Sequence, residues 1–424
     1  MNRREFLQDA TVLGATLGLA PGVSASARSV AGKSSATPGT RLKVGVIGCG
    51  NVSGSYIPDM LSSPYIEIVS ACDIIVERAQ QRAQQFNIPN VYPHVDAMLA
   101  GAKFDLLVNL TSMPSHYPVN KKGLEAKVNV WTEKPMALSV RQGKELLALA
   151  KKQGVGFWPA PTVVTSPQFR FMAETIASGK LGSITAAHGT YGHSGPTWSE
   201  WFFQKGGGCL FDLGVYNVAT LTGLLGPVKE VVGMTRIVTP TREINGKTIV
   251  VTADDNTMLI MDHGKGVLSH VQCGFVYPGD HLPAEIRKMS SVDLVGTKGT
   301  MHLLGYDWGP VGVGVTTEST PLEVTCTDPG PYKWQYGASY IAECLATGKK
   351  SLITAEHGFH FLEVMLACHE SQRTGRRIKV ESTFAWPIFG GQARPESPCL
   401  QWHRERFWSM ICSGPSWCHS ESGR

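Results

Sequence analysis

The chain is short of charge: only 17% of its 424 residues are Asp, Glu, Lys or Arg. The formal net charge is +5 and Lys and Arg form no runs, which argues against the basic footprint of a nucleic-acid-binding protein. No stretch beyond residue 30 is long and apolar enough to span a bilayer. The ten cysteines include no Cys-x-x-Cys pair, so neither a zinc site nor a redox dithiol is indicated. Cys49, Cys72, Cys209, Cys273, Cys326, Cys344 and Cys368 stand singly in apolar or strand-like surroundings and read mostly as small buried hydrophobes. No internal repeat is visible.

What is present is concentrated in Leu42 to Gly54. An alternating β-branched strand breaks into Gly48-Cys49-Gly50-Asn51-Val52-Ser53, and Tyr56 to Leu61 reads as helix. This order suits a dinucleotide phosphate site. Gly48 permits the tight turn, Gly50 lets main chain approach a pyrophosphate, and Asn51 and Val52 lead into a helix N-terminus whose N–H groups face the anion. Ser53 stands where the fingerprint has its third glycine and is still small. Ile66 to Asp73 reads as the second strand. Asp73 ends it about 20 residues after the glycines, where an acid meets a ribose 2′-hydroxyl.

The N-terminus carries Arg3-Arg4 before Phe6-Leu7, a moderately apolar stretch from Ala10 to Ala20 and an Ala25-Ser26-Ala27 cleavage site. Residues 1–27 read as a twin-arginine signal peptide, implying the twin-arginine export machinery as a partner and a periplasmic or exported location. Residues 28–40 read as a flexible linker. A nucleotide enzyme sent there finds little free dinucleotide, so it is expected to hold its cofactor tightly.

Strand-like and helical segments then alternate to Trp158, as in a parallel sheet. Helices are read at 76–86, 96–100, 120–126 and 140–153, and strands at 90–92, 104–110, 128–132 and 155–158. The loop Thr111 to Tyr117, with Pro114 and His116, follows a buried strand, and Glu133-Lys134-Pro135 follows the next. Both belong at the ligand-binding edge of such a sheet.

Together with Gly206-Gly207-Gly208 through Asp212-x-Gly214-x-Tyr216, these motifs resemble the Gfo/Idh/MocA oxidoreductases from about residue 41 to 381. The resemblance implies an α/β protein: an N-terminal Rossmann domain (41–160) plus a C-terminal α/β domain (161–381) with an open, mostly antiparallel sheet. It also implies NAD or NADP, and a sugar, polyol or related cyclic alcohol as substrate. Tyr216, where many relatives carry His, combined with the export signal, is similar to the glucose–fructose oxidoreductase branch. Thr111, Pro114, His116, Glu133 and Lys134 join the glycine turn and Asp73 as expected cofactor contacts. Asp73 favours NAD, although Arg78 lies close enough to leave NADP open.

Oxidising a secondary alcohol by hydride transfer needs a base beside the nicotinamide. Lys134, Asp212 and Tyr216 are the expected catalytic residues. In this reading Lys134 lowers the Tyr216 pKa so that the phenolate takes the proton, Asp212 orients Lys134 or binds a hydroxyl, and Lys134 itself is the alternative base. His116 either contacts nicotinamide or substrate or caps a helix. His193, Trp198 and Trp201 form either a substrate lip or an aromatic cluster closing the domain interface.

Six β-branched runs, at 228–238, 249–252, 256–261, 266–276, 290–295 and 299–304, suggest a sheet with one face on helices. Its other face is expected to be covered by a second subunit, making a homo-oligomer. Helices are expected at 336–347 and 355–372. Residues 382–424 lose all periodicity and read as a disordered tail or as an altered reading frame at the gene's end. Two other functions fit part of the pattern: a glycosidase using transient oxidation by bound NAD, and a non-catalytic nucleotide- or sugar-binding protein.

Overall fold

The computed structural model describes residues 41–277 and 290–389. The signal and linker expected over residues 1–40 lie outside the described residues.

The first half is a parallel sheet in which β1 (Leu42–Ile47), β2 (Ile66–Cys72), β3 (Asn90–Tyr92), β4 (Leu106–Asn109), β5 (Asn129–Thr132) and β6 (Phe157–Pro159) take the order 3-2-1-4-5-6. β4 is buried along its whole length, as a strand covered on both faces must be. Helices α1 (Ser53–Ser62), α2 (Val76–Phe86), α3 (Val95–Ala100), α4 (Met113–Glu125) and α5 (Val140–Gln153) make the crossovers. The strand order reverses between β1 and β4, which opens a crevice at their carboxyl ends. The helix expected at 120–126 begins seven residues earlier. Pro114 suggested a loop, but it occupies the first turn of α4, where a missing N–H leaves no bond unmade.

The second half contains α6 (Pro167–Ala177), β7 (Ile184–Gly192), a π-helical turn at Leu210–Gly214, α7 (Val215–Leu225) and β8 (Glu230–Arg236). A separate hairpin follows, β9 (Thr241–Ile244) with β10 (Lys247–Val250). Then come β11 (Asn256–Gly264), β12 (Val267–Gly274), β13 (Ser290–Gly296), β14 (Gly299–Tyr306), β15 (Gly309–Thr317), β16 (Thr320–Thr325), α8 (Gly337–Thr347), α9 (Ala355–Thr374) and β17 (Ile378–Lys379). Nine of these strands form one sheet in the order 16-15-14-13-7-12-11-8-17. Only the β7–β12 pair is parallel; the other pairs are antiparallel.

Three expectations for this half are corrected. The run at 249–252 contributes to the hairpin and not to the large sheet. β15 and β16 were not anticipated, because the glycines of β15 break its alternation and β16 is an exposed edge strand. α6 was also missed, although Ser166 caps it by accepting a hydrogen bond from the Phe169 N–H at 3.1 Å.

α9 returns to the first half. A Cβ placed on Gly143 of α5 would lie 2.5 Å from Phe359, and one on Gly358 would lie 2.1 Å from Pro159 of β6. These approaches need glycine, and one continuous apolar core runs through both halves. Order also continues beyond Ser382, against the expectation of a disordered tail from that residue. Trp386 donates its indole N–H to the Gly223 carbonyl at 3.0 Å. Phe384 is buried against His357 and His360, and Phe389 meets Phe169 and Arg170. Single anchoring aromatics leave no periodic signal. The rest of that tail lies outside the described residues.

Candidate active site

Gly48 has φ +92°, and a Cβ there would sit 2.5 Å from the carbonyl carbon and oxygen of Leu110. The residue therefore lets β1 and β4 converge at the head of the crevice. Gly50 has no atom within 4 Å of its would-be Cβ, so open space lies in front of it. The N–H groups of Gly50, Asn51 and Val52 have no acceptor among the described residues. Ser53 is wholly buried and donates to the Gly50 carbonyl at 2.6 Å.

Arg82 of α2 donates from Nε to Ser53 Oγ at 3.0 Å and from Nη2 to the Gly50 carbonyl at 3.2 Å. The sequence reading weighed Arg78 and missed Arg82. Arg82 lies between Ala79 and Ala83, the buried residues of α2, and that spacing was the available signal. Asp73 stands at the end of β2 as expected, 7% exposed. Its carboxylate accepts from the Cys49 N–H at 2.7 Å and the Ile75 N–H at 2.8 Å. Asp73 thus ties the glycine turn to the second strand, with lone pairs left for a ribose hydroxyl.

On the other side of the crevice, buried Asn109 accepts from the Thr111 hydroxyl at 2.6 Å and donates to Asn120 at 2.8 Å. Thr111 and exposed Pro114 border the crevice. His116 is corrected: both of its ring nitrogens are engaged by main-chain carbonyls. It is buried, with Nδ1 2.7 Å from the Pro135 carbonyl and Nε2 2.9 Å from the Thr111 carbonyl. Burial lowers its pKa. Glu133 accepts a short hydrogen bond from the Tyr56 hydroxyl and another from the Lys134 N–H at 3.0 Å. Both residues fix the main chain that carries Lys134.

Lys134 extends from the end of β5 to Asp212. Its Nζ lies 2.7 Å from the Asp212 carboxylate and 2.8 Å from the Asp212 carbonyl, and both side chains are nearly buried. The same ammonium lies 5.1 Å from the centre of the Tyr216 ring. Asp212 belongs to the π-helical turn, a feature frequent at functional sites. The structure therefore brings the three expected catalytic residues together. It corrects the expected tuning of Tyr216. Lys134 lies beside the ring, and burial together with the carboxylates of Glu133 and Asp212 raises the phenol pKa well above its ordinary value. These surroundings therefore favour the neutral phenol.

Trp201 stacks on Phe202 at 3.7 Å, and Phe202 and Phe203 are buried against Phe275. Most of the expected lip is thus a packed cluster; Trp198, 54% exposed, stays at the surface. His193 packs on Phe275 and Tyr191. The aromatic neighbour of Tyr216 is Tyr191, with ring centres 6.2 Å apart, backed by Tyr306 and Trp308. Sequence reasoning overlooked Tyr191, although it lies at the end of β7 two residues before His193.

Open space at Gly50 by a strand-order reversal, an acid at the end of the second strand and a Lys–Asp–Tyr group are the features of a nicotinamide-dependent oxidoreductase. The chain belongs to the Gfo/Idh/MocA family: residues 42–160 match the oxidoreductase family's NAD-binding Rossmann fold and residues 169–302 match the GFO/IDH/MocA C-terminal domain. It is 25% identical over 323 residues to trans-1,2-dihydrobenzene-1,2-diol dehydrogenase of Mus musculus, covering 73% of this chain and 90% of that one. It is 22% identical over 356 residues to D-apiose dehydrogenase of Paraburkholderia graminis, covering 81% and 90%. Levoglucosan dehydrogenase in complex with NADH and levoglucosan shares the fold, with TM-score 0.71 and 18% identity over 80% of this chain and 100% of that one. This chain is an NAD-binding oxidoreductase of that family.

Proposed function

We propose that the protein reversibly moves a hydride between bound NAD and a secondary hydroxyl of a sugar, polyol or cyclic diol. The observation that carries this reading is the convergence of Lys134, Asp212 and Tyr216. The diol and apiose dehydrogenases among its relatives support the substrate class. The open space at Gly50 and the free N–H groups after it fit a pyrophosphate, and Asp73 fits an unphosphorylated ribose. When bound, the nicotinamide supplies the hydride acceptor.

Tyr216, held neutral, donates a hydrogen bond to the substrate oxygen. That leaves Lys134, held by Asp212, as the group that exchanges a proton with the substrate hydroxyl. In the reverse direction Lys134 returns the proton. Tyr216 in place of the more frequent His, together with the Arg3-Arg4 signal, supports an exported enzyme of the glucose–fructose oxidoreductase branch that retains its cofactor.

The test is turnover by the full chain with NAD and a panel of sugars, polyols and cyclic diols, read as reduced-nicotinamide absorbance. Lys134→Ala is expected to lower kcat by about 10²–10⁴-fold, the range for losing a positioned general base. Wild-type activity in that variant, or NAD binding without turnover of any alcohol by the wild-type chain, would overturn the reading.

A further inference from the structure

Asp212 meets the Lys134 ammonium twice, through its carboxylate at 2.7 Å and through its own main-chain carbonyl at 2.8 Å. A carboxylate can follow a moving partner by rotating about its side-chain bonds. A carbonyl moves only with the backbone. Whatever fixes the main chain of the π-helical turn at Leu210–Gly214 therefore also fixes Lys134.

The groups that fix it come from two distant segments. Asp254 stands between β10 and β11 with its carboxylate nearly buried. Its Oδ2 accepts from the Leu210 N–H at 3.2 Å, the Cys209 thiol at 3.3 Å and the Thr257 hydroxyl at 2.8 Å. Its main-chain carbonyl accepts from the Cys209 N–H at 2.8 Å. Gly208, at φ +104°, makes room for the carboxylate: a Cβ there would lie 2.5 Å from Asp254 Oδ1. Oδ1 in turn accepts from Nε2 of His369, on α9, at 3.0 Å. A carboxylate has no proton to give, so Nε2 carries the hydrogen. The His369 ring also stands edge-on to Phe211, with ring centres 5.2 Å apart. Burial pushes the Asp254 pKa up, but the hydrogen bonds from His369, Thr257 and Cys209 outweigh it and hold the group below its ordinary value, so the acceptor stays a carboxylate. The pair thus bears on Gly208, Cys209, Leu210 and Phe211 in turn, and the next residue is Asp212.

We propose that Asp254 and His369 are positioning residues for the hydride-transfer reaction, a role that rests on the function proposed above. The imidazole aims the carboxylate, and the carboxylate sets the main-chain register of the turn that delivers Asp212 to Lys134. Both act through the turn and not on the substrate. A bare capping acid would account for the bonds to Leu210 and Cys209, but it would need no second group to orient it. The carboxylate is given one, and the same ring braces Phe211. His369 is 30% exposed and opens onto a cavity of about 900 Å³ lined also by Lys205, Arg236 and Gln372. Its ring can therefore be exchanged without cutting into the core.

The test compares two variants of the full chain. His369→Phe keeps a ring against Phe211 and loses the Nε2 donor, whereas the amide of His369→Gln brings an N–H to the same place. Hydrogen–deuterium exchange over residues 209–214 is read without substrate, NAD affinity by calorimetry, and kcat with an alcohol that the wild type turns over. In His369→Phe, exchange over 209–214 is expected to rise about tenfold, the equivalent of losing one hydrogen bond to a charged group. Its kcat is expected to fall by about 10–100-fold, the scale of a displacement of up to about 1 Å at a reacting group. NAD affinity and the melting midpoint are expected to stay at their wild-type values, and His369→Gln to recover most of both losses. Unchanged exchange in His369→Phe, a loosened turn with wild-type kcat, equal losses in the two variants, or a parallel loss of NAD affinity and melting midpoint would overturn the proposal. A wild type that turns over no alcohol would instead overturn the proposed function, and the exchange measurement would still decide whether the pair holds the turn.

Discussion

Gly48 and Gly50 sit two residues apart in one motif, yet replacing each by alanine should fail for a different reason. At Gly48 the new Cβ would stand 2.5 Å from the Leu110 carbonyl carbon and oxygen and 2.6 Å from the Thr111 nitrogen, at φ +92°. All three atoms are main chain in or next to the central parallel sheet, so no side chain can yield. The positive φ alone costs about 1–2 kcal/mol. Prying β1 from β4 adds the cost of an overpacked core, about 1–3 kcal/mol. A total near 3 kcal/mol predicts a melting midpoint lower by about 6–12 °C, at the 2–4 °C per kcal/mol typical of domains of 150–250 residues.

At Gly50 the same methyl group meets nothing within 4 Å. The stability of Gly50→Ala without cofactor should match wild type within about 0.5 kcal/mol, as for an unobstructed surface change. Its methyl group, however, enters the space assigned to the pyrophosphate. Saturating NAD, at about 100 times Kd, stabilises a binding protein by about 2.7 kcal/mol, and this shift should be largely lost in Gly50→Ala. Thermal melts of both variants with and without NAD, plus calorimetric titration, measure each quantity. A Gly48→Ala protein melting within a degree of wild type, or a Gly50→Ala protein binding NAD normally, would refute the reasoning.

Four further outcomes are expected. Tyr216→Phe should lower kcat by about 10–100-fold while leaving the high-pH limb of the rate profile in place, because the neutral phenol is a donor; loss of that limb would make Tyr216 the base after all. Burial holds His357 down to about 3 and His360 down to about 4, so both are neutral when folded and take up protons on unfolding. Their contribution is intact above about pH 6.5 and is lost as pH falls towards the folded values, about 3 kcal/mol for His360 alone; a melting midpoint flat between pH 7 and 4.5 would contradict this. Ending the chain at Glu381 removes the Trp386–Gly223 hydrogen bond and the Phe384 and Phe389 contacts, and should cost about 2–4 kcal/mol in a urea titration. Arg82→Ala should weaken NAD binding several-fold in calorimetry, since its guanidinium braces Gly50 and Ser53 from behind.

The first half of the fold was legible because its signals are local. Each parallel strand is a short run rich in apolar residues, and two of the helices carry their own stops, Asn87 and Gly154 in left-handed conformations after α2 and α5. The juxtaposition of Asp212 and Tyr216 was legible for a similar reason, since they are four residues apart in sequence. What escaped depends on contacts between distant segments. Nothing near His116 indicates that both ring nitrogens will meet carbonyl groups. The Tyr216 pKa depends on burial and on Glu133, neither of which a reading of its own helix includes. Tyr191 becomes a neighbour of Tyr216 only when β7 is laid beside α7.

The return of α9 to the first half bears on timing. On one side the two halves are joined where Phe359 meets Gly143 and Pro159 meets Gly358; on the other, the Lys134–Asp212 ion pair crosses between them. A crevice clamped at both margins cannot widen by an easy hinge. Any opening large enough to release a dinucleotide must separate a nearly buried ion pair or lift packed aromatic and proline rings off glycine. On the function proposed above, departure of the cofactor is expected to be slow relative to turnover, which a nucleotide-release measurement would check.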